Sequence, residues 1–169
     1  DNWYGQQVLL HVGSATSNLK VWVNGQYVGY SEDSKMAAEF DITKYVKKGR
    51  NLIAMQIMRW CDGSYLEDQD FWRFTGIARE VYLYARPKTH IEDIVVTQDD
   101  QDGQGLLSMD VKAPKDMTVE ARLEDSNGQT VGTGLSQTVA QAKAWTAETP
   151  YLYTLFVTLK KGAQVVDVV

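Results

Sequence analysis

Short segments in which apolar and polar residues alternate follow one another along the whole chain, and residues that favour turns separate them. No segment keeps the 3.6-residue apolar period of an amphipathic helix over three turns. Residues 19–23 and 26–30 alternate on either side of Asn24-Gly25, a pair that tolerates the positive φ angles of a type I′ turn. The pattern therefore predicts an all-β chain with a tight hairpin at Asn24-Gly25.

The remaining segments divide into two groups. Residues 51–59 read as a largely buried strand, and residues 79–85 as a strand with Val81, Leu83 and Ala85 on one face. Between the hairpin and these strands, residues 41–49 begin with a capping Asp41 and end with Gly49, which favours one or two helical turns.

A linker is predicted at residues 86–89, because proline ends the preceding strand and the alternation restarts at Ile91. Beyond it, turns are predicted at 126–128 and 160–162, and strands at 91–97, 106–111, 117–123, 129–133 and 151–159. Such spacing is typical of an immunoglobulin-like sandwich. We therefore expect two β-sandwich domains, over residues 1–87 and 88–169.

The composition of the chain argues against several classes of partner and site. Hydrophobic residues make up 44% of the 169 residues and charged residues 23%, as in globular domains. The net charge of -5 argues against nucleic acid as a partner, and no apolar run approaches the roughly 20 residues that span a bilayer. With one cysteine and two histidines, neither an internal disulfide nor a zinc site is expected. Because the chain opens on Asp1 and ends in a strand-like run, we expect it to be part of a longer protein.

The segment from Trp60 to Gly76 has no period of its own, and aperiodic loops of about this length tend to be functional. Flat aromatic faces beside carboxylates suit sugar rings, since carboxylates accept hydroxyl hydrogen bonds. Equally, the tryptophans could fill the core, with the acids capping backbone amides. The spacing does not exclude a self-contained glycosidase pair but disfavours it, because four acids within nine residues of one loop are hard to hold at the required distance without a rigid scaffold. The acids and aromatic residues concerned are Asp62, Glu67, Asp68, Asp70, Trp60, Tyr65, Phe71 and Trp72.

Other polar clusters favour solvated turns over sites. Residues 31–34 lie where a surface turn is expected, and residues 99–102 lack the glycine and distal glutamate of a calcium loop. Neither His11 nor His90 has the neighbours of a catalytic triad. Cys61, next to an acid, is not in the electropositive setting of a reactive thiol.

Three stretches carry a family resemblance. The string Trp60-x-Asp-Gly-Ser-Tyr-Leu-Glu-Asp-Gln-Asp-x-Trp72 resembles the sugar-binding domain of glycoside hydrolase family two β-galactosidases. The hairpin residues 21–30 resemble the same domain, and residues 145–153 are similar to the family's immunoglobulin-like second domain. The resemblance implies a jelly-roll, galactose-binding-like sandwich, truncated at its N-terminus and followed by an immunoglobulin-like sandwich.

The resemblance also implies that the catalytic residues and some of the substrate contacts lie in different domains. The acid/base and nucleophile of a retaining β-galactosidase would lie in a barrel of about 250 residues outside this chain. Asp62 would contact galactose hydroxyls and a sodium ion, while Thr16 would occupy the position of a substrate-lining asparagine, with Asn18 as the alternative. Magnesium would bind elsewhere in a homo-oligomeric parent enzyme, whose other domains would be this chain's partners. The alternative is a stand-alone carbohydrate-binding or assembly module.

Overall fold

The computed structural model describes residues 3–66 and 72–169. The chain divides into two units, Asp1–Lys88 (unit 1) and Thr89–Val169 (unit 2), which are described separately.

Unit 1 consists of short antiparallel strands and one helical turn, α1 (Gly63–Leu66). The strands are β1 (Gln7–Val12), β2 (Ala15–Thr16), β3 (Leu19–Val23), β4 (Gln26–Ser31), β5 (Ala38–Asp41), β6 (Ile53–Gln56), β7 (Gly76–Ile77) and β8 (Val81–Arg86). Their sheet orders are β5-β1-β8, β4-β3-β6 and the pair β2-β7.

The core of unit 1 lies along β1 and β3. Leu10, Val12, Leu19, Val21 and Val23 are at most 1% exposed and belong to one apolar cluster. They alternate with less buried residues along β3, as expected for a strand with one face in a core. Burying each such side chain contributes about 1.5–3 kcal/mol, so this cluster is the main source of stability in unit 1.

The hairpin prediction is confirmed. Asn24 and Gly25 have φ angles of 51° and 81°, and Val23 pairs with Gln26 across the two-residue loop. Both positive φ angles are those of a type I′ turn, whose twist matches that of the strands.

Two other predictions for unit 1 need adjustment. The amide of Val46 donates to the Ile42 carbonyl, so residues 41–49 form a single turn, and Asp41 caps it through the Thr43 amide. The strand at 51–59 is shorter than predicted, over Ile53–Gln56, and it alternates between half-buried and exposed residues. The expectation of a largely buried strand is wrong, because β6 pairs only with β3 and lies at a sheet edge.

A polar cluster covers the outer face of sheet β5-β1-β8. The Nδ1 atom of His11 lies 2.9 Å from Glu39 Oε1, and the Tyr84 hydroxyl donates to Glu39 Oε2 at 3.0 Å. The hydrogen bond with His11 lowers the pKa of Glu39 from its ordinary value of 4.5, against a smaller opposing effect of burial. The folded chain therefore favours the ionised form of this carboxylate.

This cluster predicts a pH dependence of stability. Because the folded pKa of Glu39 is below the unfolded one, its contribution is complete above about pH 4.5 and is lost as the pH falls through the lowered value. We expect Glu39→Gln to flatten the fall in unfolding free energy below pH 4.5, as measured by urea denaturation across that range. Glu148→Gln, at an exposed position in unit 2, is the matched control. An unchanged slope in Glu39→Gln would contradict the assignment.

Unit 2 is built from two antiparallel sheets with orders β13-β10-β9 and β12-β11-β14-β15. The strands are β9 (Asp93–Gln101), β10 (Gln104–Lys112), β11 (Thr118–Glu124), β12 (Thr130–Thr133), β13 (Ser136–Val139), β14 (Thr154–Lys161) and β15 (Gln164–Val168). All five predicted strands of this half are present, β15 corresponds to the strand-like run at the end of the sequence, and β13 is an additional strand. Its alternation of exposed and buried residues is only four residues long, which is too short for the sequence pattern to separate it from a loop.

The core of unit 2 lies between its sheets. Ile91, Met109, Ala121, Val157 and Leu159 form the buried cluster, with exposed fractions of 8% or less. Met109 comes from one sheet and Ala121, Val157 and Leu159 from the other, so the cluster joins both layers. Each sheet thereby buries one face, as in a β-sandwich. No helix in the described part of the chain is long and apolar enough to cross a membrane.

Candidate functional site

The aperiodic segment after residue 59 lies against the end of β2. Thr16 pairs with Gly76 in the short ladder between β2 and β7, and the Thr75 hydroxyl donates to the Thr16 carbonyl at 2.8 Å. The peptide bond between Thr16 and Ser17 is cis. The C-terminal end of the segment, β7, is thus attached to Thr16.

Asp62 immediately precedes α1 and is exposed to solvent. Its carbonyl accepts a hydrogen bond from the Tyr65 amide at 3.2 Å, so its backbone belongs to the helical turn. Asp62 is the only carboxylate among the described residues of the segment, 60–66 and 72–76. The other predicted acids, Glu67, Asp68 and Asp70, lie outside the described residues, as does Phe71.

Hydroxyl and thiol groups fasten this turn to residue 17. The Cys61 amide donates to Ser64 Oγ at 3.1 Å, and the Ser64 hydroxyl donates to Ser17 Oγ at 2.9 Å. Arg73 Nη1 donates to the Ser64 carbonyl at 2.9 Å on the other side of the turn. Ser17, Ser64 and Arg73 were not among the predicted site residues. The only signal in the sequence is that Ser64 belongs to the family string and Arg73 directly follows it.

Thr16 and Asn18 have different surroundings. Asn18 is 2% exposed and its Oδ1 accepts from the Met58 amide at 3.1 Å. Removal from water and the nearby Glu32 carboxylate raise the pKa of Tyr30 to about 12, and the Asn18 side chain partly offsets this rise. Thr16 is half-buried and lines a cavity of about 10 Å³, the space of one water, together with Ser17 and Ser64. Thr16 therefore borders the Asp62 turn, whereas Asn18 is committed to the interior.

The aromatic side chains of the segment are exposed. Trp60 is 49% and Trp72 82% exposed, so the interpretation that they fill the core is wrong. The guanidinium carbons of Arg59 and Arg73 lie 5.5 and 5.8 Å from the Trp60 ring centre, within cation–π range. Two cations and the ring of Tyr65, 6.5 Å away, surround Trp60 in place of core packing.

The predicted surface turn at residues 99–102 is shorter than expected. Residues 99–101 belong to β9, and Asp102 and Gly103, with φ angles of 53° and 79°, form the hairpin loop between β9 and β10. An open groove of about 890 Å³ lies elsewhere in unit 2, lined by β9, β10 and the segment of Trp145 and Tyr151. Its lining comes from distant parts of the sequence, which is why no local pattern predicted it.

The described residues contain no group of three or more His, Cys, Asp or Glu side chains able to hold a metal ion. The exposed Asp62 carboxylate is a hard oxygen ligand of the kind that sodium accepts. A sodium ion at Asp62 would need its remaining oxygen ligands from outside the described residues.

Comparison with known proteins identifies the family of both halves of the chain. Residues 1–87 match the family model "Glycosyl hydrolases family 2, sugar binding domain", and residues 89–169 match "Glycosyl hydrolases family 2". The β-galactosidase of Priestia megaterium is 40% identical over 185 aligned residues, which cover 95% of this chain and 18% of that protein. The β-galactosidase of Clostridium acetobutylicum is 37% identical over 100% of this chain and 20% of its own length. The chain thus spans about a fifth of the length of these relatives.

Solved structures confirm the predicted fold class of a jelly-roll sandwich followed by an immunoglobulin-like sandwich. The apo β-glucuronidase of Ruminococcus gnavus superposes with a TM-score of 0.90 at 23% identity, over 99% of this chain and 33% of that one. The β-glucuronidase of Dictyoglomus thermophilum gives a TM-score of 0.83 at 22% identity, over 99% and 33%. With both halves matched by family models, the chain belongs to glycosyl hydrolase family 2 and corresponds to the N-terminal domains of its glycosidases.

Proposed function

We propose that this chain is the non-catalytic N-terminal part of a retaining β-galactosidase and that it supplies Asp62 to a galactose site completed by domains outside the chain. The observation that carries the proposal is the exposed Asp62 carboxylate on a turn that is itself fastened to the sandwich. The identity of 36–43% to β-galactosidases supports galactose as the sugar.

The chemistry of a carboxylate suits this role. An ionised carboxylate accepts two hydroxyl hydrogen bonds, and bonds to a charged group are worth about 1.5–3 kcal/mol each. The two oxygens of Asp62 would accept hydrogen bonds from adjacent hydroxyls of a galactose ring. The half-buried Thr16, with one hydroxyl, would line the same site from the end of β2.

Hydrolysis itself is assigned to the absent domains. A retaining glycosidase needs two carboxyls about 5–5.5 Å apart on rigid supports. Asp62 has no second carboxylate beside it among the described residues of its segment. We propose that its part is to bind and orient the sugar and to furnish one oxygen to a sodium ion, which would add a fixed positive charge near the substrate hydroxyls.

The test compares the isolated chain with the full-length enzyme that carries it. We expect no hydrolysis of nitrophenyl β-galactoside by the chain alone and turnover by the full-length enzyme, with nitrophenyl β-glucuronide a poor substrate. Hydrolysis by the isolated chain would contradict a non-catalytic role. A preference of the full-length enzyme for the glucuronide would contradict the assignment to galactose. Saturable galactose binding by the isolated chain, unaffected by Asp62→Ala, would favour the stand-alone carbohydrate-binding module instead.

A further inference from the structure

We propose that Ser17, Cys61 and Ser64 are positioning residues that hold the Asp62 carboxylate in place through one directed chain of hydrogen bonds. This inference rests on the proposed function, because it assigns these side chains a role that is exerted through Asp62.

The hydrogen bonds among these residues form a continuous series in which each acceptor is also the next donor group. The Cys61 amide donates to Ser64 Oγ at 3.1 Å, Ser64 donates to Ser17 Oγ at 2.9 Å, and Ser17 donates to Cys61 Sγ at 3.1 Å. The thiol in turn lies 3.9 Å from the Ser17 carbonyl, as a weak donor. Each hydroxyl therefore accepts one hydrogen bond and donates one along this series, and Ser64 Oγ also lies 3.7 Å from Cys61 Sγ, where either atom can donate.

Burial of the two serines favours the arrangement in which both hydroxyls are hydrogen-bonded. Ser17 and Ser64 are each 4% exposed, so water cannot replace a lost partner easily. Leaving a buried polar group unsatisfied is costly, which favours arrangements in which both hydroxyls are paired. The groups are 47 and 44 residues apart in sequence, so only the folded unit brings them together.

The hydrogen-bonded residues Cys61 and Ser64 flank Asp62 in the sequence. Cys61 precedes it and Ser64 follows two residues later, and both bond to Ser17. Ser17 is itself fixed by its amide, which donates to the Met58 carbonyl at 3.0 Å. The Asp62 backbone is thus held at two points against the sandwich, while its carboxylate stays exposed.

Positioning of this kind matters because a misplacement of about 1 Å at a reacting substrate can cost about 100-fold in rate. Removing the Ser64 hydroxyl leaves the Cys61 amide without its acceptor and Ser17 without its donor. The turn then keeps only the contacts of Cys61 Sγ with Ser17, and the Asp62 carboxylate samples positions that no longer match the sugar.

The test uses the full-length enzyme with nitrophenyl β-galactoside. We expect Ser64→Ala to lower kcat/KM by about 10- to 100-fold, and Cys61→Ser, which keeps a donor and an acceptor, to stay within about 3-fold. Cys61→Ala should lower kcat/KM more than Cys61→Ser. Ser108→Ala, at an exposed position in unit 2, is the matched control and should leave kcat/KM unchanged.

A double-mutant cycle separates positioning from a general loss of structure. In an Asp62→Ala background, Ser64→Ala should cause little further loss, because residues that act through one another are not additive. Hydrogen exchange at the amides of residues 61–65 should accelerate in Ser64→Ala and not in Ser108→Ala. If Ser64→Ala lowers the thermal midpoint of the enzyme, Ser17→Ala provides the same cycle without altering the helical turn itself.

The outcomes distinguish this inference from the proposed function. If Asp62→Ala leaves kcat/KM unchanged, the proposed function fails, and with it the catalytic part of this inference. If Asp62→Ala lowers kcat/KM while Ser64→Ala and Ser17→Ala neither lower it nor accelerate exchange, the inference alone is overturned. Full additivity of Ser64→Ala with Asp62→Ala would also overturn it.

Discussion

Replacing Asp62 by alanine in the full-length enzyme is expected to lower kcat/KM for nitrophenyl β-galactoside by about 10²- to 10⁴-fold. The reason is the loss of two hydrogen bonds to a charged group, each worth about 1.5–3 kcal/mol, where about 1.4 kcal/mol corresponds to a factor of ten. Asp62→Asn retains one carbonyl acceptor but no charge, so its loss should be smaller. Steady-state kinetics of the three enzymes measures this graded series.

Sodium provides an independent readout of the same residue. Because Asp62 is proposed to furnish a cation ligand, exchanging sodium for potassium should raise KM in the unaltered enzyme and have less effect in Asp62→Asn. Asp110→Asn, an exposed acid on β10, is the control for a change of net charge. An Asp62→Ala enzyme with unaltered kinetics, or an equal cation effect in Asp62→Asn and the unaltered enzyme, would refute the corresponding role.

The largest expected change in stability follows from replacing Asn24 by alanine, which should cost about 3–5 kcal/mol of unfolding free energy. The Asn24 side chain donates to the Tyr45 carbonyl at 2.9 Å and to Asn51 Oδ1 at 2.8 Å, and accepts from the Leu52 amide at 3.0 Å. It therefore joins the hairpin turn to two other segments. Its φ of 51° adds a backbone term, because a left-handed conformation costs an alanine about 1–2 kcal/mol.

Two further variants separate these contributions. Asn24→Gly removes the three hydrogen bonds but tolerates the positive φ, so it should cost about 1 kcal/mol less than Asn24→Ala. Asn127→Ala is the matched control, because this turn asparagine makes a single side-chain hydrogen bond, of 3.4 Å, as donor. Urea denaturation gives the three free energies. A cost below about 0.5 kcal/mol for Asn24→Ala, the usual range of surface substitutions, would show that the side-chain bonds contribute nothing.

Asn24 also illustrates how far local sequence determines structure. The type I′ turn was predictable because Asn-Gly is one of the few pairs that adopt two successive positive φ angles. The bonds to Tyr45 and Asn51 were not, because they depend on where segments 21 and 27 residues away in sequence are placed. The same limit applies to β6, which was predicted as a largely buried strand and whose partial burial depends on its place at a sheet edge.

The sequence by itself determined the all-β class, the hairpin at Asn24-Gly25, the strands of the second half and the family, since alternation, turn residues and the string around Asp62 are local signals. Only the tertiary structure decided that Trp60 and Trp72 are exposed, that Thr16 and not Asn18 borders the Asp62 turn, and that Ser17 bonds to Cys61 and Ser64. Burial and hydrogen-bond partners depend on which segments come into contact. Residues 17 and 64 are in contact only when folding brings the end of β2 next to α1.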